Sequence, residues 1–264
     1  MIFTWIVLLF LGLFVGILSG LLGIGGGIIL VPMLATILPL VAVDQSVAVH
    51  LALGTSMACT SLTLLSTSIA HRSNGNLNQE VFYKILPGII IGAIISPYLA
   101  HLLPAVALRH IIGFVLFALA INMAFDYEIP STRKLPNRYF VILAGILIGL
   151  ISSFSGLSGS VFVVPYLIWF GTSIRYAVGT AAMCGLVLSL AGMTSYMIVG
   201  YHTANLPDYA IGYVYLPAVI LIAVTGMPMA QLSAKWSLKI PKEILKRLLA
   251  ILLTFVAAKM LFFN

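Results

Sequence analysis

Two clusters of glycine and serine are placed where a bare backbone could do chemistry. The first is Gly23-Ile24-Gly25-Gly26-Gly27; the second is Ser155-Gly156-Leu157-Ser158-Gly159-Ser160. Each interrupts an apolar run. Each is followed by an apolar stretch, about 27–38 and about 160–170, too short to cross a bilayer at ~1.5 Å per residue. A helix that begins at such a break offers unpaired N–H groups and roughly half a positive charge at its first turn. Glycine permits the sharp turn and the close approach of a ligand. The chemistry on offer is anion binding through backbone amides, with no buried lysine required. Glycines also let helices pack closely. Gly12, Gly16 and Gly20, and Gly88 with Gly92, have the four-residue spacing of that use. The consecutive glycines at 25–27 break a helix instead of packing it, so they are assigned to binding.

Hydroxyl and cationic side chains recur nearby. Gly54-Thr55-Ser56 and Gly179-Thr180-Ala181 match at an offset of 125, as do His50 and Arg175, four residues before each Gly-Thr. The hydroxyls of Thr55, Ser56 and Thr180 can donate to an oxyanion. They can also bond the carbonyl one turn back, the common fate of membrane Ser and Thr. His50 is the embedded proton acceptor, since its ordinary titration range lies near neutrality. Arg175 reads either as a gating cation or as a boundary residue that reaches toward the interface. The acidic residues Asp44, Glu80, Asp126, Glu128, Asp208 and Glu243 all fall at loops or segment ends. A cation substrate or a sodium site would want a carboxylate in mid-span. The pattern therefore favours an anion. Cys59 and Cys184 lie in apolar runs with no CxxC spacing, and no P-loop, HExxH or GxSxG motif is present. No metal, no cofactor and no enzymatic activity are expected.

The elements that must position these groups are membrane helices. The sequence is 62% hydrophobic and 7% charged, against about 25% charged in soluble domains. The net charge of +7 comes without a basic, aromatic-interleaved patch, which excludes nucleic acid as a partner. The partners implied are the bilayer and a small anion, and a homodimer is allowed. Segments long enough to span lie at about 3–22, 46–71, 81–103, 106–125, 138–156, 175–199, 210–233 and 243–262. The expected fold is all-α, with about eight full spans and two short, Gly-broken ones.

The chain also echoes itself. Gly12, Gly16, Gly23, Gly26 and Pro32 match Gly145, Gly149, Gly156, Gly159 and Pro165 at an offset of 133. This gives an N-terminal repeat, 1–126, a linker, 127–137, and a C-terminal repeat, 138–264. If each short stretch returns the chain to the side it came from, Arg109 and Lys259 fall on one side and the other eleven of the 13 Lys and Arg on the opposite one. If the short stretches continue onward, the division is six against seven. The excess of positive charge on cytoplasmic loops selects the first arrangement. Both termini are then periplasmic, the linker is cytoplasmic, and the repeats are inverted, a plan of secondary transporters.

The run Gly16…Gly20…Gly23-Ile24-Gly25-Gly26-Gly27…Val31-Pro32 and its echo Gly149…Gly156…Gly159…Val164-Pro165, each with a Gly-Thr beyond it, resemble the TauE/SafE sulfite exporter family over essentially the whole chain. The resemblance implies a bacterial inner-membrane permease for sulfite, organosulfonates or related small anions. It implies further that both Gly-Pro motifs and the Gly-Thr regions belong to the transport core. Ser158 and Ser160 stand where the first motif has Gly25 and Gly27, so the second cluster departs from the first and adds hydroxyl donors. The expected function is secondary transport of a small anion by alternating access. A passive channel, or a membrane enzyme or assembly factor in sulfur metabolism, are the alternatives.

Overall fold

The computed structural model describes residues 2–22, 26–40, 43–125, 135–237 and 242–262. It is a helical bundle, as expected for a backbone that must satisfy its own hydrogen bonds in lipid. The described helices are α1 (Ile2–Leu22), α2 (Gly27–Leu40), α3 (Gln45–Ser73), α4 (Gln79–His101), α5 (Ala105–Phe125), α6 (Arg138–Phe154), α7 (Ser160–Trp169), α8 (Ile174–Gly200), α9 (Leu216–Ser237) and α10 (Lys242–Phe262). Among the described residues, α3, α4, α8 and α9 are long and apolar enough to cross a membrane. The 14-residue α2 and the 10-residue α7 are the two short segments expected after the Gly-rich breaks. The span expected to open at 210 begins instead at Leu216. Ala210–Ile211 (β1) and Val214–Tyr215 (β2) pair as an antiparallel hairpin, and Gly212, at φ 54°, supplies the positive φ of its first turn residue.

Glycine seams hold the long helices together. A Cβ at Gly88 would lie 2.1 Å from the Ile142 carbonyl oxygen, and one at Gly92 2.2 Å from that of Ile146. A Cβ at the facing Gly145 or Gly149 would lie 2.6 or 2.5 Å from the Ile85 or Ile89 carbonyl oxygen of α4. On the other flank, Gly12 meets Ile222 and Thr225 of α9, and Gly16 meets Gly226. Without side chains between them, the backbones come into van der Waals contact, the main source of helix association in lipid. Thr225 adds a hydrogen bond to the Leu9 carbonyl and Ser233 one to that of Gly16.

The seams fix the direction of each helix. Along α1 and α9 residue numbers rise together, and so they do along α4 and α6. The helices in each pair are therefore parallel. Thr55 of α3 reaches Tyr215, immediately before α9, so α1, α3 and α9 all start toward one end of the bundle. Leu40, the last residue of α2, lies at that same end, just before α3. The pair α1–α2 thus enters and leaves by one end. Arg175, at the start of α8, bonds Asn76, just before α4. By the same reasoning α6 and α7 enter and leave by the other end. Between α6 and α7 the second Gly-rich break is the turning point.

Two loops are seated by a shared set of contacts. A Cβ on Gly54 would lie 2.1 Å from the Tyr213 carbonyl oxygen, and one on Gly179 2.2 Å from that of Asn76. One residue further on, Thr55 Oγ1 accepts from the Tyr215 amide at 3.0 Å and Thr180 Oγ1 from the Asn78 amide at 3.0 Å. One turn earlier, His50 stacks on Tyr213 with centroids 5.1 Å apart, and Arg175 Nε donates to Asn76 Oδ1. Asn78 then caps α4 by accepting from the Val81 amide. Beside the first seat, the Ser46 amide and hydroxyl both donate to Asp44, which holds its carboxyl below the usual range.

Two outcomes follow from these contacts. Gly88→Ala forces α4 and α6 apart and is expected to cost about 1–3 kcal/mol, read as a lowered unfolding midpoint in detergent. Thr55→Val and Thr180→Val each strand a backbone amide. Each is expected to cost about 1–3 kcal/mol in the same assay, with Ser at either position restoring most of the loss.

Candidate functional site

The second break is built residue by residue. Phe154 ends α6, and Gly156 takes a left-handed φ of 68°. The Gly156 amide donates to the Ser153 carbonyl at 3.2 Å and the Leu157 amide to that of Ser152 at 2.8 Å. This pair of bonds closes the open carbonyls of a helix end, and the left-handed residue it needs is glycine. Gly159, at φ 73°, precedes α7, and its carbonyl accepts from the amides of Phe162 and Val163. At the first break the carbonyl of Gly26 does the same for Ile29 and Leu30 at the start of α2. Gly23 and Gly25 lie outside the described residues, as does the linker from 126 to 134.

The two breaks meet. A Cβ on Gly27 would lie 2.6 Å from the Gly156 carbonyl oxygen and 3.5 Å from Leu157 Cα. A Cβ on Gly156 would strike Val31 of α2. Ser56 of α3 braces the junction: its hydroxyl is 3.0 Å from the Gly156 carbonyl and 3.5 Å from that of Gly27. On the far side Gly185 of α8 stands where a Cβ would lie 2.5 Å from the Ser158 carbonyl. Among the candidate residues, Gly26, Gly27, Ser56, Ser155, Gly156, Ser158 and Gly159 are buried and Ser160 nearly so. The helices flanking the junction are α3 and α8, the same two that carry the seats.

The hydroxyls divide between two tasks. Ser155 donates to its own helix at the Ile151 carbonyl, 2.8 Å away. Ser158 and Ser160 share a hydrogen bond at 2.7 Å across the start of α7. Thr55, adjacent in sequence to Ser56, and Thr180 turn to the seated loops and accept hydrogen bonds there. Neither follows the route back to its own helix that the sequence left open.

His50 and Arg175 are likewise at the seats and not at the junction. His50 is buried, and its Nε2 donates to the Ala100 carbonyl at 3.1 Å. The ring it stacks on, Tyr213, takes a hydrogen bond from Thr203 and contacts His101 Nδ1 at 2.8 Å. Burial raises the Tyr213 phenol above its ordinary range. Arg175 is exposed, bound to Asn76 and to the Asn74 carbonyl. The four-residue spacing from cation to Gly-Thr reflects this use: one helical turn brings both against the same loop.

Two residues were missed at the junction. Thr60 Oγ1 would be 3.1 Å from a Cβ on Gly27, and Ser152 Oγ 3.5 Å from one on Gly159. The available signal was a stripe of hydroxyls, Ser56, Thr60, Thr63 and Thr67, at helical spacing in an apolar segment.

Relatives of this chain carry consistent names. A "Probable membrane transporter protein" from Haemophilus influenzae is 35% identical, with 98% of each chain covered. One from Methanocaldococcus jannaschii is 27% identical over 96% of this chain and 94% of its own. The Bacillus subtilis "Probable membrane transporter protein YdhB" is 26% identical, covering 93% and 95% respectively. No solved structure matches. The family described as Sulfite exporter TauE/SafE matches residues 8–260, nearly the whole length, and to that family this chain belongs.

Proposed function

We propose that this multi-pass membrane transporter carries a small oxyanion, with sulfite, an organosulfonate or a related sulfur anion as substrate, by alternating access between two inverted repeats. The observation that carries the reading is the meeting of the two breaks. Helices α2 and α7 both begin there, from chain segments that enter by opposite ends of the bundle. Each contributes first-turn amides and the positive end of its dipole. Together they give one site a supply of hydrogen-bond donors with no fixed cation to trap the guest.

The same geometry supports an exchange of access. The junction is held by contacts between α2, α3, the second break and α8. The loops ahead of α4 and α9 are held by the Gly-Thr seats. In this reading the seats act as gates, one at each entry, with His50 and Arg175 as the residues that set them. The bacterial inner membrane, with periplasmic termini, is the location that the distribution of Lys and Arg supports.

Gly27→Ala inserts a methyl group against the Gly156 carbonyl. It is expected to reduce sulfite flux in proteoliposomes at least tenfold, about 1.4 kcal/mol or more at the transition state, in protein that retains its helical circular dichroism. Wild-type flux from that variant would remove the junction from the transport path. Gln at position 50 keeps an N–H for the Ala100 carbonyl and loses the ionisable ring. His50→Gln is expected to flatten the pH dependence of flux, and an unaltered profile would exclude His50 from gating.

A further inference from the structure

Membrane Ser and Thr usually turn their hydroxyls back onto the carbonyl three or four residues earlier. Thr36, Ser61, Thr63, Ser68, Ser189 and Thr254 all do so here. Thr60 and Ser152 do not. Both are fully buried, and neither hydroxyl has a hydrogen-bond partner. Among the described residues, unpartnered buried side-chain atoms are few: besides these two, only His50 Nδ1 and Tyr166 Oη. A buried hydroxyl without a partner is destabilising, and native proteins keep few of them without a use.

Their positions are not scattered. Thr60 lies beside Gly27, the first residue of α2, and Ser152 beside Gly159, the residue that starts α7. The carbonyl of Ser152 already accepts from Leu157 at the break, so its hydroxyl is the remaining polar group there. Each short helix thus begins next to one buried O–H that nothing in the protein engages. The two helix starts adjoin through Gly27 and Gly156.

Resting on the anion-carrier reading above, we propose that Thr60 and Ser152 are substrate ligands. Each donates its O–H to an oxygen of the anion held by the amides of the neighbouring short helix. Such a site presents donors from two directions. It selects a compact oxyanion with at least two acceptor oxygens, such as sulfite, a sulfonate or a carboxylate, over a monatomic anion. It has no carboxylate to hold an amine.

The test is binding to purified protein in detergent, by calorimetric titration with sulfite, methanesulfonate and acetate, alongside the thermal midpoint of the unliganded protein. Thr60→Val and Ser152→Ala are expected to weaken wild-type Kd by about tenfold or more each. The unliganded midpoints are expected to be unchanged or raised, because an unpartnered hydroxyl has been removed. Thr60→Ser keeps the donor and is expected to bind within about threefold of wild type. Wild-type affinity in the Val and Ala variants, or a fall in their unliganded midpoint, overturns the ligand assignment and leaves the carrier reading standing. Failure of the wild-type protein to bind any of the three anions overturns both.

Discussion

A peptide group in hydrocarbon has no water to fall back on, and this single fact governs the middle of the molecule. Two helices stop there and two others start, which should leave open carbonyls on one side and open amides on the other. At the second break the carbonyls are closed locally. Leu157 and Gly156 bond back to Ser152 and Ser153, and Ser56 reaches over from α3 to the Gly156 carbonyl. The carbonyls of Gly26 and Gly159 serve the first turns of the new helices. Among the first-turn amides, those of Ile29 and Phe162 are taken up by these carbonyls, ahead of which stand the amides of Gly27, Ile28, Ser160 and Val161. At the second break the structure therefore mends the acceptor half of the interruption with glycine, a neighbouring amide and a serine from another helix.

Everything around the junction serves to hold it in register. The seams of α1 with α9 and of α4 with α6 bring backbones together through facing glycines, so neither member can slide without a clash. The helices at the centre, α3 and α8, each do two jobs. Toward the breaks they present Ser56 and Thr60, or Gly185. Toward the loops they present Gly54 and Thr55, or Gly179 and Thr180. Because a helix turns about 100° per residue, Thr55 and Ser56 can face different neighbours while adjacent in sequence. A shift of α3 would move a loop seat and the junction brace together.

Much of this was legible in the sequence. Apolar length located most helices to within a few residues, and the Gly- and Ser-rich clusters marked the breaks, since consecutive glycines in an apolar run favour a break over close packing. The four-residue glycine spacing identified the seams. The charge distribution led to returning short segments, an arrangement that the packing of α1 beside α9 does not by itself distinguish from one in which they continue onward. What escaped was everything decided by long-range contact. The hairpin at 210–215 reads as the start of a span because Ala210, Ile211, Val214 and Tyr215 are apolar. It folds otherwise because Gly54, Thr55 and His50, distant in sequence, seat it. The role of each hydroxyl was hidden for the same reason. Rotamer and neighbour decide whether a threonine accepts from a loop, as Thr55 does, or faces a helix start, as Thr60 does.

The pairing of α1 with α9 bears on how the protein is made. Helix α1 leaves the ribosome before the other described helices, while the surface it belongs against begins only at Leu216. Its lipid-facing flank, with Trp5, Phe10 and Phe14 exposed, is at home in the bilayer at once. Its glycine flank is a bare groove of backbone that must wait through most of synthesis for its match, whereas α6 finds α4 already in place. Insertion and final assembly are thus separated in time for the first helix and nearly simultaneous for the sixth. During biogenesis the glycine face of α1 is left without its eventual neighbour until α9 has been made.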